Sequence, residues 1–302
     1  MSRLMIAALG LALMAPLTLQ AKAVEEKDVT AGKVKLDPAM GYILLSGPER
    51  QNGVFLHVPD DETRRKYEDD RRKAFAKAQK RYASELATWR SQVEIAKSNG
   101  AIPLDKPEEP KLETFSIDPI EMRDLESFGP FFVYSKGSTI SYVNAVKPGT
   151  WIWYGPVIMG ANGAAMGVCH CLGSVRFEVK PGVITNLGTS LADAPRWDEE
   201  NDVARLTLKA TNAKRVAAGK EPLRTLVGGT VSYPVPSSLQ SWPSVQAELH
   251  ASPKMNNHYG VVVSRVAPIP GVLAYNRDVI VDVRTGQEIA SPTLVSRAKI
   301  KK

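Results

Sequence analysis

The sequence predicts a mainly β protein: an antiparallel β-sandwich interrupted by one long, protruding helix and followed by a β-rich C-terminal extension. Three observations carry this expectation. Between residues 129 and 190, short runs of β-branched and aromatic residues recur roughly every ten residues, separated by Gly and Pro turns. Residues 61–98 contain neither Gly nor Pro and are dominated by strong helix formers. After residue 190 apolar runs return, but Pro234, Pro236, Pro243, Pro253, Pro268 and Pro270 confine them to short strands and edges.

Residues 1–23 read as a secretory signal: Arg3, an apolar run over residues 4–19, and the cleavage pattern Ala21-Lys22-Ala23. Gly10 and Pro16 interrupt the run, which is shorter than the roughly 20 apolar residues of a spanning helix. The mature chain is expected to begin near Val24 and to be periplasmic or extracellular. Two apolar runs, over 41–46 and 53–58, flank Gly47-Pro48 and read as a hairpin. Asp60 and Asp61 can cap a helix that Asn99-Gly100 stops. At 1.5 Å per residue this helix is about 57 Å long.

Along it, Phe75, Ala78, Tyr82, Leu86, Trp89, Val93 and Ala96 form a narrow apolar seam in steps of three and four. The seam is expected to pack on the protein's own body in preference to a second chain. Pro103, Pro107 and Pro110 make the return a stiff linker. The organisation is therefore a sandwich core from residues 24–60 and 112–190, a charged insertion over 61–111, and an extension over 191–302.

Within the core, strands are expected at 131–134, 140–143, 151–154, 166–171, 174–179 and 183–187. Trp151 and Trp153 share one face of a strand. Val175, Phe177 and Val179 point inward while Arg176 and Glu178 point out. The tetrapeptide Val146-Lys147-Pro148-Gly149 recurs as Val179-Lys180-Pro181-Gly182, and both copies read as type II turns. Further on, a helix over 202–218 stopped by Gly219 and strands over 227–233, 245–249, 259–266 and 272–283 are expected, with a frayed basic tail over 297–302.

The frame from Val146 to Tyr154, with that from Phe177 to Gly188, resembles small bacterial envelope β-sandwich domains of unknown function, including PEGA-type surface-layer domains. The run from Gly167 to Phe177 is similar to a family of secreted, uncharacterised bacterial proteins. The resemblance implies an envelope sandwich and no particular activity.

The formal charge of +7 is unevenly spread. Two units leave with the signal, and residues 61–98 carry a net +4, so the β body is close to neutral. Arg64, Arg65, Arg71, Arg72, Lys73 and Lys77 are candidate contacts for an anionic partner: an envelope protein, a lipid or a cell-wall polymer. The competing expectation is a solvated helix with pairs such as Glu68–Arg72 and Asp69–Lys73. A secretory signal and the lack of any nucleic-acid motif argue against nucleic acid.

Cys169-His170-Cys171 is the local cluster of soft ligands. Three readings stand: two small buried core residues, a disulfide that needs a local bulge, or a copper or zinc site with Met159 or Met166, or with His57, His250 or His258. Apart from such a metal, no cofactor is expected. There is no G-x-S-x-G, phosphate loop or dinucleotide fingerprint, and Ser296-Arg297-Ala298-Lys299 lacks its companion motifs. Asp278 and Asp282 lie four apart on an expected strand, hence on one face. No catalytic residue is assigned. The expected function is a secreted, non-enzymatic envelope binding or assembly module, with a soft-metal or redox protein centred on Cys169 and Cys171 as the alternative.

Overall fold

The computed structural model describes residues 22–102, 105–160, 164–191, 212–222 and 231–290. Residues 1–21 of the expected signal 1–23, most of the expected helix 202–218, the strand segment 227–230, Ser296, Lys299 and the basic tail lie outside them, while the last two residues of that signal, Lys22 and Ala23, pair with Ala145 and Asn144. In chain order the elements are β1 (Lys22–Ala23), α1 (Glu26–Thr30), β2 (Gly41–Gly47), β3 (Gly53–His57), α2 (Asp61–Ser98), β4 (Leu125–Phe128), β5 (Ser135–Lys136), β6 (Ile140–Val146), β7 (Gly149–Gly155), β8 (Val157–Met159), β9 (Ala165–Cys169), β10 (Ser174–Val179), β11 (Ile184–Gly188), β12 (Ser244–Gln246), β13 (His250–Ser252), β14 (Val262–Val263), β15 (Leu273–Asn276), β16 (Val279–Asp282) and β17 (Gln287–Ile289). The protein is mainly β with one long helix.

Two sheets enclose the main core. One runs β1-β6-β2-β11-β12 with β5 beside β6, and the other runs β13-β10-β7-β3-β4. Ile43, Leu45, Tyr142, Val146 and Leu187 from the first meet Phe55, Phe128, Trp151, Trp153, Val175, Phe177 and Val179 from the second. Alternation assigns the remaining residues to outer clusters. Tyr42, Leu44, Val143 and Ile184 lie under α1 and the 235–242 segment. Val54, Leu56, Tyr154 and Val157 lie under a small β14-β9-β8 sheet and residues 255–261. Because both outer faces are covered, β2 and β3 are buried at every position, which is why they read as unbroken apolar runs. The C-terminal β15-β16-β17 sheet closes the main core with Leu273 and Ile280.

The structure corrects several expectations. Strands β2 and β3 do not form a hairpin: β2 pairs with β6 and β11, and β3 with β4 and β7. A strand buried on both faces needs partners on both edges, and the 48–52 link carries the chain across the core to find them. The sheets are not wholly antiparallel, because β11 runs parallel to β2 and β12, and β14 runs parallel to β9. The run 131–134 is not a strand. Pro130 removes a ladder donor and Gly129 (φ 57°) turns the chain, so β4 pairs instead and Phe131 and Phe132 stand out.

Helix α2 spans the expected residues, with the Asp60 side chain accepting the Thr63 amide and Asn99 at its C-terminus. Its seam does not pack on the β body as expected. Contacts with the body are confined to the first turns: Thr63 is buried, Arg123 pairs with Asp70, and the Arg123 guanidinium lies over the Tyr67 ring. Farther out, Phe75 meets Phe115 edge-on at 5.4 Å. Returning from Asn99 to that level takes about 36 Å of helix, and the 15 residues of 101–115 reach about 46 Å when extended. The return linker is long enough to cover that distance, and the seam residues are half-buried. Replacing residues 77–113 by a short Gly-Ser link, which keeps Phe75 and Phe115, should leave one cooperative thermal transition. Loss of cooperative melting would show that the distal arm is integral to the body.

Candidate functional site: the anchored basic arm

The arm is set into the body by a polar cluster drawn from four segments. Lys147 Nζ lies 2.7 Å from Asp60 Oδ2 and 3.8 Å from Asp124 Oδ2, and donates to Thr63 Oγ1 at 3.3 Å. Thr63 Oγ1 donates to Asp124 Oδ2 at 2.9 Å. Behind them His57, 2% exposed, holds the Pro148 carbonyl through Nε2 at 3.1 Å. Burial alone would raise the Asp60 carboxyl, but hydrogen bonds from Lys147 and Thr63 outweigh it and hold it well below the carboxylate range. Burial alone would lower the Lys147 ammonium, and Asp60, Asp124 and Glu62 together keep it above its ordinary value. The cluster fixes the first turn of α2 and so the direction in which the arm leaves. Sequence reasoning found only the Asp60 cap, because the other members come from distant segments.

The arm has two opposed faces. Arg71 belongs to the linker side: Nε donates to the Phe115 carbonyl at 2.9 Å, Nη2 to the Leu112 carbonyl, and Nη1 pairs with Glu68 at 3.1 Å. Arg64 donates to the Pro59 carbonyl at 3.1 Å. Both keep their charge, but their guanidinium groups are held against backbone carbonyls. The expected Glu68–Arg72 and Asp69–Lys73 pairs are not formed; Glu68 is taken by Arg71, while Arg81 pairs with Glu85. Arg65, Arg72, Lys73 and Lys77, joined by Lys66 and Lys80, are exposed and have no ion-pair partner among the described residues. At 100° per residue these six occupy an arc of about 140° opposite the seam, extending about 22 Å along the axis. Asp69 lies within that arc, and Glu62 lies at its root, close enough to act on Lys147.

Cys169 and Cys171 are both buried and joined as a disulfide, with Cα atoms 5.1 Å apart. A turn closed by the Gly173 amide on the His170 carbonyl replaces the extended strand and shortens the separation. The C-terminal segment clamps this turn: Ser264 donates to the Cys169 carbonyl, and Met255 to the Cys171 carbonyl. Between the cysteines, burial pushes His170 down to about 4, and its Nδ1 is buried without a partner. Among the described residues no three His, Cys, Asp or Glu side chains gather where a metal ion could be held. Met166 lies on the opposite face of β9, and Met159 pairs with Ala165, four residues along from Cys169. His57 is at the arm root, His250 Nδ1 lies 3.3 Å from Asp282, and His258 lines a cleft with Tyr67, Asn256 and Asn257. While the sulfurs are bonded neither is a thiolate ligand, so a soft-metal role requires the pair to be reduced.

Asp278 and Asp282 do not form a surface pair. Asp278 is exposed, whereas Asp282 is buried and accepts the Arg284 and Thr285 amides, organising the turn after β16. Among the described residues no helix is long and apolar enough to cross a membrane. No family model, curated protein or solved structure matches the chain.

Proposed function

We propose that the protein is a secreted, non-enzymatic envelope protein, a binding or assembly module whose arm α2 holds an anionic envelope polymer. The observation that carries this reading is the arc of Arg65, Lys66, Arg72, Lys73, Lys77 and Lys80, exposed and without ion-pair partners among the described residues, on a helix anchored at one end. A helix that only needed solvation would pair its charges along i,i+4, as Arg81 does with Glu85. Here Glu68, Asp70 and Asp60 are spent on Arg71, Arg123 and Lys147, which leaves Asp69 as the acid within the arc itself. The inner end of the seam meets the linker through Phe75 and Phe115, on the side away from the cationic arc. The near-neutral body and the leader-like residues 1–23 agree with a secreted protein whose attraction is concentrated on one element.

Dextran sulfate serves as a uniform polyanion probe. Its affinity should fall steeply with salt. The variant Arg65→Gln/Arg72→Gln/Lys73→Gln/Lys77→Gln should bind about ten-fold or more weakly at low salt, with unchanged helix content, since Gln is a good helix former. Salt-insensitive binding, or an unchanged affinity in the variant, would overturn the reading.

A further inference from the structure

A second surface lies at the other end of the sandwich. Phe131 and Phe132 are 73% and 66% exposed, side by side in one loop. Soluble surfaces seldom present two adjacent aromatic rings in this way without use.

The loop is held firmly on both sides. Phe128 is buried in the main core before it, and Tyr134 after it is buried, donates its amide to the Ser141 carbonyl at 2.8 Å and places its hydroxyl 2.9 Å from Ser238 Oγ. Gly129 passes so close to the neighbouring 47–53 link that a Cβ there would lie 1.8 Å from the Gln51 carbonyl oxygen. The two rings are therefore presented by a fixed base.

Cations lie on the neighbouring segments. Arg50 is exposed and donates to the Pro130 carbonyl at 3.2 Å. Lys136 is exposed on β5, opposite Ile140, which in turn pairs with Gly47 at the start of the same link. Glu49 on that link pairs with Arg215, which brings exposed Lys214, Lys220 and Val216 alongside. Glu49 is neutralised by that pair, which leaves Glu221 as the acid on the 214–221 segment against Arg50, Lys136, Lys214 and Lys220.

We infer that this end of the sandwich docks on an anionic lipid bilayer, with Phe131 and Phe132 entering the interface and Arg50, Lys136, Lys214 and Lys220 meeting the headgroups. An apolar wedge with cations on the adjoining segments supplies the two signals that reversible membrane attachment requires. The occupant is a bilayer and not a polymer because the rings carry no polar partner and need a medium that buries them. β3 places this end opposite the arm: Gly53 pairs with Phe128 beside the loop, while His57 at the other terminus adjoins the arm root. Docking through the loop leaves the root of α2 about 15 Å away along β3, clear of the lipid contact. The inference does not depend on what the arm holds.

The test is co-sedimentation of the full chain with vesicles of equal parts phosphatidylglycerol and phosphatidylethanolamine, against phosphatidylcholine alone. The parent should partition onto the anionic vesicles. Phe131→Ser/Phe132→Ser should bind at least about ten-fold more weakly with unchanged melting, because both positions are already exposed. The arm variant Arg65→Gln/Arg72→Gln/Lys73→Gln/Lys77→Gln removes the arm's own attraction for anionic headgroups, and in that background the two Phe substitutions should still weaken vesicle binding about ten-fold, which separates the loop from the arm. Absence of parent binding overturns the inference, and so does equal binding by the Phe variant. A vesicle-free dimer of the parent that the Phe substitutions dissolve would assign the loop to a second copy of the chain and overturn it as well.

Discussion

Glu126→Gln should stabilise the protein by about 1–3 kcal/mol at pH 8, change little at pH 4, and remove a pH dependence present in the parent. Glu126 is 6% exposed and shares the inward face of β4 with Phe128. Its carboxylate accepts from Asn144 Nδ2 across the core, and the same amide donates to the Ser127 carbonyl at 3.2 Å. Burial pushes the carboxyl up to about 7, and the single amide donor only partly opposes it. The sign follows from proton counting. Between about 4.5 and 7 the folded chain holds a proton that the unfolded chain has released. Stability therefore falls as pH rises through that window, and the loss is complete above the folded value, at about 3 kcal/mol. A neutral Gln keeps an oxygen for Asn144 and carries no charge to desolvate. Urea unfolding of parent and variant at pH 4, 6 and 8 reads the difference, and comparison of the two cancels the other titrating groups. A variant less stable than the parent at pH 8 would mean that the ionised carboxylate is better satisfied than its one side-chain donor implies.

The same residue shows where the sequence stops being legible. Leu125-Glu126-Ser127-Phe128 is a strand that alternation misses, because a carboxylate occupies an inward position and breaks the apolar pattern. Its partner Asn144 lies in the other sheet, and no local signal couples the two. By contrast, the limits of α2 are local chemistry: the Asp60 cap and the Asn99-Gly100 stop act on their own neighbours, and both are readable. The inward set Val175, Phe177 and Val179 is readable for the same reason. Strand partnership is not local. Strands β2 and β3 look alike in sequence, yet they separate into two sheets because each is buried on both faces. The basic excess of the arm was legible, but its division was not: Arg64 and Arg71 became fastenings through contacts with Pro59, Leu112 and Phe115.

The two copies of Val-Lys-Pro-Gly should respond very differently to the same substitution. Gly182→Ala should cost about 1–2 kcal/mol, and Gly149→Ala about 3 kcal/mol or more. The second copy behaves as the tetrapeptide predicts: Gly182 has φ 67°, and a Cβ there would meet only Pro38, at 3.5 Å. Its penalty is the left-handed backbone alone. The first copy is not that turn. Gly149 has φ 130°, opens β7 opposite Val179, and a Cβ would lie 2.5 Å from His57 Nε2. His57 has no room to retreat, since it is buried, holds the Pro148 carbonyl and packs against the Trp151 ring at 5.0 Å. Relief must therefore come from the 146–149 backbone, which carries Lys147 out of reach of Asp60 and Thr63 and loosens the root of the arm. Urea unfolding of the two single variants measures the contrast, and dextran sulfate binding by Gly149→Ala reports on the arm. Equal losses at the two glycines would mean that His57 yields, and that the root of α2 tolerates movement which this packing denies it.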